Sequence, residues 1–194
     1  MIERYTRPEM GHLWSIQNEW QTILNVEIAA CEAMAELGEI PAAAVDNIKK
    51  NAKFDVARIN EIEKTTDHDI IAFLTNLEEN VGEDSKYIHK GLTSSDVKDT
   101  AYCVMMRDAA SIILDDLRTF REVLRRRAEE FRHTPCIGRT HGIHAEPMTF
   151  GLKLLLWSAE IERDIERLTR ARETVSVGKL SGAVGTYSNI DPRI

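Results

Sequence analysis

The sequence has little cysteine, no long apolar run and no excess of positive charge, and each shortage excludes a class of protein. Its three cysteines, Cys31, Cys103 and Cys136, are an odd number at wide spacing. This argues against a disulfide framework and a Cys-x-x-Cys metal site, and it fits a reducing cytoplasm. No window approaches the roughly 18 apolar residues of a membrane span, and the charged N-terminus has no signal-peptide core.

The charge balance excludes a further group of functions. The formal net charge of −7 lacks the positive footprint that binding to nucleic acid or to an anionic membrane normally requires. With 43% hydrophobic residues among 194, the chain can bury a sizeable core. We therefore expect a soluble, cytoplasmic globular protein whose partner is a small molecule or another protein.

Apolar residues recur at helical spacing along most of the chain, which predicts an all-α fold. Gly38 and Gly82 are expected to end helices, and Asp55 is expected to cap one. Pro41 is expected at a first helical position. The predicted helices have the approximate bounds 10–37, 41–50, 55–64, 70–80, 95–132 and 149–172.

The last two predicted helices are the most distinctive. The first of them, 95–132, contains no glycine or proline, and its apolar residues follow steps of three and four that 149–172 repeats. This pattern predicts two long antiparallel helices packed as in a helical bundle. The first would be about 55 Å long, whereas a compact domain of this size has a radius of gyration of about 16 Å. Partner chains are therefore expected.

The segment after Val175 loses this periodicity and is rich in glycine. It indicates a chain that has been cut short. Its GKLSGAVG run resembles a phosphate loop, but it fits neither GxGxxG nor GxxxxGK[ST], so no nucleotide motif is assigned to it.

Four of the six histidines, His68, His89, His141 and His144, lie in the predicted breaks between helices. Histidine is the side chain whose charge changes near neutral pH, and loops held by rigid helices often position functional groups. An ordinary hydrogen-bonded junction histidine is the alternative at each position. A metal site at His141 and His144 is disfavoured, because the two are three residues apart outside a helix and lack a cysteine or HExxH partner.

The segment Gly91–Asp96 leads directly into the longest predicted helix. Free backbone amides at the helix N-terminus and several hydroxyl groups would converge there, which makes the segment a candidate anion site. The alternative is that Ser94 or Ser95 simply caps the helix.

Two segments, GLTSSD at residues 91–96 and GRTHGIHAEP at residues 138–147, resemble the first two signature regions of the aspartase/fumarase superfamily. The segments IERYTRPEM, TTDHDIIAF, YIHKGLTSSDV and GKLSGAVGTYSNIDP are similar to the adenylosuccinate lyase family within it. The resemblance covers essentially the whole chain. It implies an N-terminal helical domain over residues 1–92, followed over residues 93–194 by the long antiparallel helices that begin a central helical-bundle domain.

The resemblance also implies a reaction and an assembly. The enzymes of this family eliminate fumarate from adenylosuccinate and from the succinylated aminoimidazole carboxamide ribotide of purine biosynthesis, with no metal and no cofactor. They are homotetramers, and each active site combines residues from three subunits. The expected partners are therefore a small-molecule substrate and further copies of the chain, with no nucleic acid and no membrane.

Carried over by position, the resemblance assigns His141 as the general acid that protonates the departing nitrogen. It assigns His68 as a second catalytic histidine that orients the substrate or assists His141. The expected substrate-binding residues include Thr93 and Ser94 for the succinyl carboxylate. The others are Arg4 and Tyr5 for the nucleotide, Asp67 and Asp69 beside His68, and His89 and Thr140 as neighbours of the substrate.

One signature of the superfamily is absent. The loop Ser-Ser-x-Met-Pro-x-Lys-x-Asn, whose serine takes the proton, does not occur, and the chain has roughly half the family's length. We therefore expect this polypeptide alone to lack lyase activity. Two alternatives remain: another fumarate-releasing member of the superfamily, such as argininosuccinate lyase, fumarase or aspartase, or a non-catalytic helical oligomerisation module.

Overall fold

Helical periodicity in the sequence produces a helical structure. The computed structural model describes residues 2–194, and this part of the chain contains seven α-helices and one two-stranded sheet. The all-α prediction is confirmed, and the small sheet is an addition to it. The helices are α1 Pro8–Leu13, α2 Ile16–Glu36, α3 Ala42–Asn51, α4 Val56–Thr66, α5 Asp69–Val81, α6 Ser94–Glu130 and α7 Phe150–Val175, and the strands are β1 Pro135–Thr140 and β2 Ile143–Thr149. Short 3-10 helices cover Glu3–Tyr5 and Gly82–Tyr87. Within residues 2–194, no helix has the length and apolarity needed to cross a membrane.

One helix was expected from residue 10 to residue 37, but the structure has two, α1 and α2. The prediction was therefore wrong at the start of this helix. The Ser15 hydroxyl donates to the His12 carbonyl at 2.7 Å and accepts the Asn18 N–H at 3.2 Å. The Asn18 side chain donates to the Leu13 carbonyl at 2.8 Å. These side chains satisfy the backbone groups of one helix end and one helix start, so α1 stops and α2 begins at this point.

The remaining helix boundaries follow the sequence closely. Asp55 caps α4 by accepting the Arg58 N–H at 2.7 Å, as predicted. Gly82, at φ +74°, ends α5 as predicted. Pro41 precedes α3 rather than opening it. The longest helix, α6, has 37 residues and is about 55 Å long, as its sequence predicted.

The first of two compact units comprises the chain up to Met105 together with Ser176–Ile194. Its core is built mainly from the apolar faces of α2 and α5 and the first turns of α6. At its centre Phe73 stacks on Trp20, with ring centroids 4.9 Å apart, and meets Phe54 edge-on at 5.9 Å. The start of α6 is part of this core, through Val97 and Ala101.

The second unit, Met106–Val175, contains the rest of α6, the β-hairpin and α7. The helices run antiparallel, since Arg121 donates to Glu162 at 3.0 Å and Arg172 donates to Ser111 at 3.4 Å. This confirms the long antiparallel pair. Its cluster of buried apolar residues is small, with Leu124, Ala128 and Leu154, and Ala109, Ala110 and Leu114 are buried elsewhere on α6. The predicted domain boundary between residues 92 and 93 stays a prediction.

A β-hairpin connects α6 and α7, in the segment where the sequence indicated only a break between helices. Thr140 pairs with Ile143, so the turn has two residues, His141 at φ +54° and Gly142 at φ +74°. Positive φ at both positions defines a type I′ turn, whose twist matches that of the strands. The strands are short and exposed, which is why helical periodicity did not reveal them.

The glycine-rich tail packs against the segment before α6. Gly91 has φ +77°, and a Cβ there would lie 2.0 Å from the Asn189 carbonyl oxygen. Next to this contact Ile190 is buried. The tail therefore occupies space that only a glycine at position 91 leaves open.

We predict that Gly91→Ala destabilises the first unit more than Gly38→Ala does. Both glycines have a positive φ, which costs an alanine about 1–2 kcal/mol, but a Cβ at Gly38 meets nothing within 4 Å. The clash at position 91 should add at least about 1 kcal/mol and expose the tail to proteolysis. Urea denaturation and limited proteolysis measure both effects, and equal losses in the two variants would contradict the packing described here.

Candidate functional site

A buried carboxylate organises the start of α6. Asp96 has no exposed surface. Its Oδ1 accepts the Lys179 ammonium at 2.7 Å and the Ser181 N–H at 3.0 Å. Its Oδ2 accepts the Thr93 N–H at 2.9 Å and the Gly182 N–H at 3.1 Å. We call these five residues the Asp96 cluster; it ties the first turn of α6 to the tail.

The cluster keeps Asp96 ionised. Burial by itself raises the pKa of this carboxyl, but the hydrogen bonds from Lys179, Thr93 and Ser181 outweigh burial. Its pKa therefore lies below the ordinary value, as expected for a carboxylate that accepts several N–H groups. The Lys179 ammonium compensates the buried charge.

The helix start differs from one of the two alternatives drawn from the sequence, the serine cap. Neither Ser94 nor Ser95 caps α6, because Thr93 precedes the helix and Asp96 binds the Thr93 N–H in the manner of a capping box. Within residues 2–194, the half-buried hydroxyls of Thr93 and Ser94 have no hydrogen-bond partner. Together with the first-turn amides at the positive end of a 37-residue helix, they can bind an anion.

The start of α5 is joined to the start of α6 by an ion pair. Asp69 is paired with Lys98, which lies one turn after Ser94 on α6. Burial raises the pKa of the Asp69 carboxyl, but Lys98 and the Ile70 N–H outweigh burial and hold the pKa below its usual value. The structure thus brings Asp69 and the predicted carboxylate-binding residues to one end of the helices.

His68 caps α5 with its ring. Its Nδ1 accepts the Ile71 N–H at 3.3 Å, so the proton of the neutral ring is on Nε2. About half of the side chain, 47%, is exposed. Asp67, in the left-handed region at φ +48°, makes the turn that separates α4 from α5. His68 therefore presents an N–H donor outward from a fixed position.

His89 is paired with a residue that the sequence analysis did not select. Glu27, on α2, is buried with 1% of its side chain exposed, and its Oε1 lies 2.6 Å from His89 Nδ1. Its Oε2 accepts the His89 N–H at 2.9 Å. A signal was available, since Glu27 is the one charged residue on the apolar α2 face formed by Trp20, Ile23, Leu24, Cys31 and Met34.

Arg4 and Tyr5 lie in the exposed N-terminal 3-10 helix, with the Arg4 guanidinium 4.7 Å from the centre of the Tyr5 ring. Thr140 and His141 lie in the second unit, exposed at the tip of the hairpin. The predicted residues thus divide between the two units: Thr140 and His141 in the second, the other eight in the first. Their assigned roles stay predictions.

The backbone is strained at three of these positions. Asp67, His89 and His141 account for three of the four non-glycine residues with positive φ in the described chain. Such conformations cost about 1–2 kcal/mol each, and they concentrate at functional sites where surrounding structure enforces them. A type I′ turn favours asparagine before glycine, so histidine at position 141 is not explained by turn preference.

The described residues contain no group of three side chains suited to holding a metal ion.

The three cysteines are free thiols. Burial, together with the neighbouring Glu27 and Glu32 carboxylates, raises the pKa of Cys31 to about 12, so it is not a nucleophile at neutral pH.

The sequence matches the model of the family described as Lyase over residues 3–194. The chain is 55% identical to an adenylosuccinate lyase of Synechocystis sp. over 194 residues and 53% identical to that of Bacillus subtilis over 192 residues. It is 50% identical to that of Staphylococcus saprophyticus over 194 residues. These alignments cover 99–100% of this chain and 44–45% of the relatives, so the chain spans about 45% of their length.

Solved structures share the fold. A fumarate lyase from Mesorhizobium superposes with a TM-score of 0.91 at 31% identity, covering 97% of this chain and 45% of that one. The 3-carboxy-cis,cis-muconate lactonizing enzyme from Pseudomonas putida superposes with a TM-score of 0.88 at 30% identity, covering 95% of this chain and 43% of that one.

We predict that Asp96→Asn destabilises the first unit at neutral pH. Each carboxylate oxygen faces two donors, and an asparagine can turn its single oxygen toward only one pair. The two donors left facing its amide group each cost roughly 1–3 kcal/mol. Urea denaturation of the chain measures the loss. The matched control is Asp99→Asn, an exposed position on the same helix, where a change below about 0.5 kcal/mol is expected.

The effect of Asp96→Asn should depend on pH with a definite sign. Because the pKa of Asp96 is lowered by folding, its stabilisation is complete above the unfolded value of about 3.9 and is lost as the pH falls through the folded value. The difference between wild type and variant should shrink below about pH 4. A difference that grew on acidification would contradict the depressed pKa.

Proposed function

Since the chain belongs to the Lyase family over residues 3–194, we propose that it is the N-terminal part of an adenylosuccinate lyase. The proposed reaction eliminates fumarate from adenylosuccinate and from the succinylated aminoimidazole carboxamide ribotide. The observation that supports it most is the start of α6, where two hydroxyls without hydrogen-bond partners lie beside the first-turn amides, groups that can bind a carboxylate. The relatives' shared name and their 50–55% identity agree with this substrate.

The chemistry needs a carboxylate site and a proton donor. A base removes a proton from the succinyl carbon next to a carboxylate. The electron pair of the broken C–H bond is delocalised onto that carboxylate. The C–N bond then breaks, a C=C bond forms and the departing nitrogen takes a proton. Thr93, Ser94 and the α6 amides stabilise the charge that accumulates on the carboxylate.

His141 supplies the proton to the departing nitrogen in this proposal. Imidazole changes its charge near neutral pH, which suits a general acid. The two-residue turn fixes the backbone that presents the ring, and the ring itself is exposed.

His68 orients the substrate through the Nε2–H that its cap to Ile71 leaves free. Arg4 and Tyr5 contact the nucleotide portion, where a guanidinium matches a phosphate. Asp67, Asp69, His89 and Thr140 complete the binding surface.

We further propose that the full-length protein is a cytoplasmic homotetramer whose subunits share each site. The second unit buries only a small apolar core and leaves large apolar side chains exposed: Ile113, Phe120, Val123, Leu152, Leu155, Leu156 and Trp157. Next to them lies a groove of about 750 Å³ that includes Met148, Leu152 and Leu156. An apolar surface of this kind is typical of protein interfaces.

The direct test is a fumarate-release assay on the full-length protein. Adenylosuccinate should be split, while argininosuccinate, malate and aspartate should not. Release of fumarate from one of those three instead would assign the chain to another lyase of the same fold.

The 194-residue chain alone should release no fumarate, because it lacks the serine loop that supplies the base in the family it resembles. Absorbance of adenylosuccinate in the presence of the purified chain measures this. Steady turnover that scales with the chain's concentration would contradict the prediction.

We predict that His141→Asn in the full-length protein separates activity from stability. Asparagine before glycine is preferred in a type I′ turn, so the melting temperature should stay the same or rise. Loss of the proton donor should lower kcat by about 10² or more. Fumarate release and a thermal melt measure the two effects.

The matched control is His133→Asn, at an exposed position between α6 and the hairpin. It should leave both kcat and melting temperature near the wild-type values. If His141→Asn kept full activity, His141 would not be the general acid.

A further inference from the structure

Glu27 and His89 form a buried pair that the proposed chemistry does not yet use. Glu27 lies on the apolar face of α2, where a charge is costly unless it is bound. Both of its oxygens are bound by the same residue: His89 Nδ1 at 2.6 Å and the His89 N–H at 2.9 Å. The left-handed backbone of His89, φ +63°, turns both groups toward Glu27.

This geometry fixes the tautomer of the imidazole. A carboxylate only accepts hydrogen bonds, so the ring donates its Nδ1–H to Glu27. The other ring nitrogen, Nε2, makes no hydrogen bond within residues 2–194. No buried side-chain nitrogen or oxygen in that range lacks a partner, so Nε2 reaches the surface. The side chain is 15% exposed.

We propose that Glu27 is a positioning residue that holds His89 Nε2 toward an anionic oxygen of the substrate. With Nδ1–H held by Glu27, a protonated ring donates its Nε2–H to that oxygen. The Glu27 carboxylate balances the charge of the protonated ring, so the pair itself carries no net charge in the core before the anion binds. The proposal rests on the proposed function only for the identity of the substrate.

Two other ionisable groups, Cys31 and Glu32, lie near the pair, and neither competes with Glu27 for the His89 ring. The Glu27 charge contributes to the raised pKa of the Cys31 thiol. The thiol nevertheless donates to the Tyr87 carbonyl, at 3.6 Å, and not to Glu27. Glu32 also acts on Cys31, and it binds Lys49 at 2.6 Å. Glu27 is therefore the group that orients His89.

The first experiment reads the tautomer without any turnover. Two-dimensional NMR of the 194-residue chain with ¹⁵N-labelled histidine should show the neutral His89 ring protonated on Nδ1, and Glu27→Gln should shift the proton toward Nε2. His89→Gln assigns the signal. A wild-type ring protonated only on Nε2 would overturn the proposal, whatever the enzyme's substrate is.

The second experiment is a double-mutant cycle in the full-length protein. Glu27→Gln should raise KM for adenylosuccinate about tenfold, because a neutral ring in place of an imidazolium turns a charged hydrogen bond to the substrate into an ordinary one. Its kcat should change little, because the contact is made in the ground state and the transition state alike. In a His89→Gln background, Glu27→Gln should have no further effect on KM.

A purely structural Glu27 would give a different pattern: a lower melting temperature with KM unchanged, or additive effects of the two substitutions. Either result would overturn the proposal. The matched control is Glu36→Gln, an exposed glutamate on the same helix, which should leave KM unchanged. If the wild-type protein released no fumarate from adenylosuccinate, the proposed function would fail, and the NMR result would still decide the role of Glu27.

Inhibition by small anions identifies the oxygen that His89 binds. Inorganic phosphate stands in for the nucleotide phosphate and succinate for the dicarboxylate. Glu27→Gln should weaken inhibition by the anion that occupies the His89 subsite. If it weakened neither, His89 would not bind an anionic oxygen and the proposal would be wrong.

Discussion

The buried carboxylate of Asp96 is the interaction on which the geometry of the first unit depends. It joins two segments, around residues 93 and 181, that are far apart in the sequence. Burying one charge is unfavourable unless an opposite charge and hydrogen bonds compensate it, and Lys179 with three backbone N–H groups does so. The first turn of α6 is held by this network rather than by a serine cap.

The same principle explains how an anion site can exist among acidic residues. Two carboxylates at the starts of α6 and α5, Asp96 and Asp69, are each paired with a lysine, Lys179 and Lys98. Each pair has no net charge, which reduces the repulsion of an approaching carboxylate. The proposed anion site then consists of the positive end of α6 and the hydroxyls of Thr93 and Ser94.

Most of the helical architecture could be predicted from the sequence because its signals are local. Asp55, Gly82 and the uninterrupted stretch that became α6 all acted as expected. The break at Ser15 was not predicted, because it depends on side-chain hydrogen bonds. The hairpin around His141 was not predicted either, because it depends on hydrogen bonds between strands. Helical periodicity reveals neither kind of bond. Glu27 shows the same limit at the candidate site: its position on an apolar face was visible, but its partner lies 62 residues away.

The central claim is that Thr93, Ser94 and His141 act on one succinyl group, contributed by different copies of the chain. A crystal structure of the full-length protein with bound adenylosuccinate tests it most directly. We expect a succinyl carboxylate within about 3.2 Å of the Thr93 and Ser94 donors, and the His141 imidazole of a neighbouring copy within hydrogen-bond reach of the departing nitrogen. A substrate bound elsewhere, or a His141 ring remote from that nitrogen in every copy, would contradict the account.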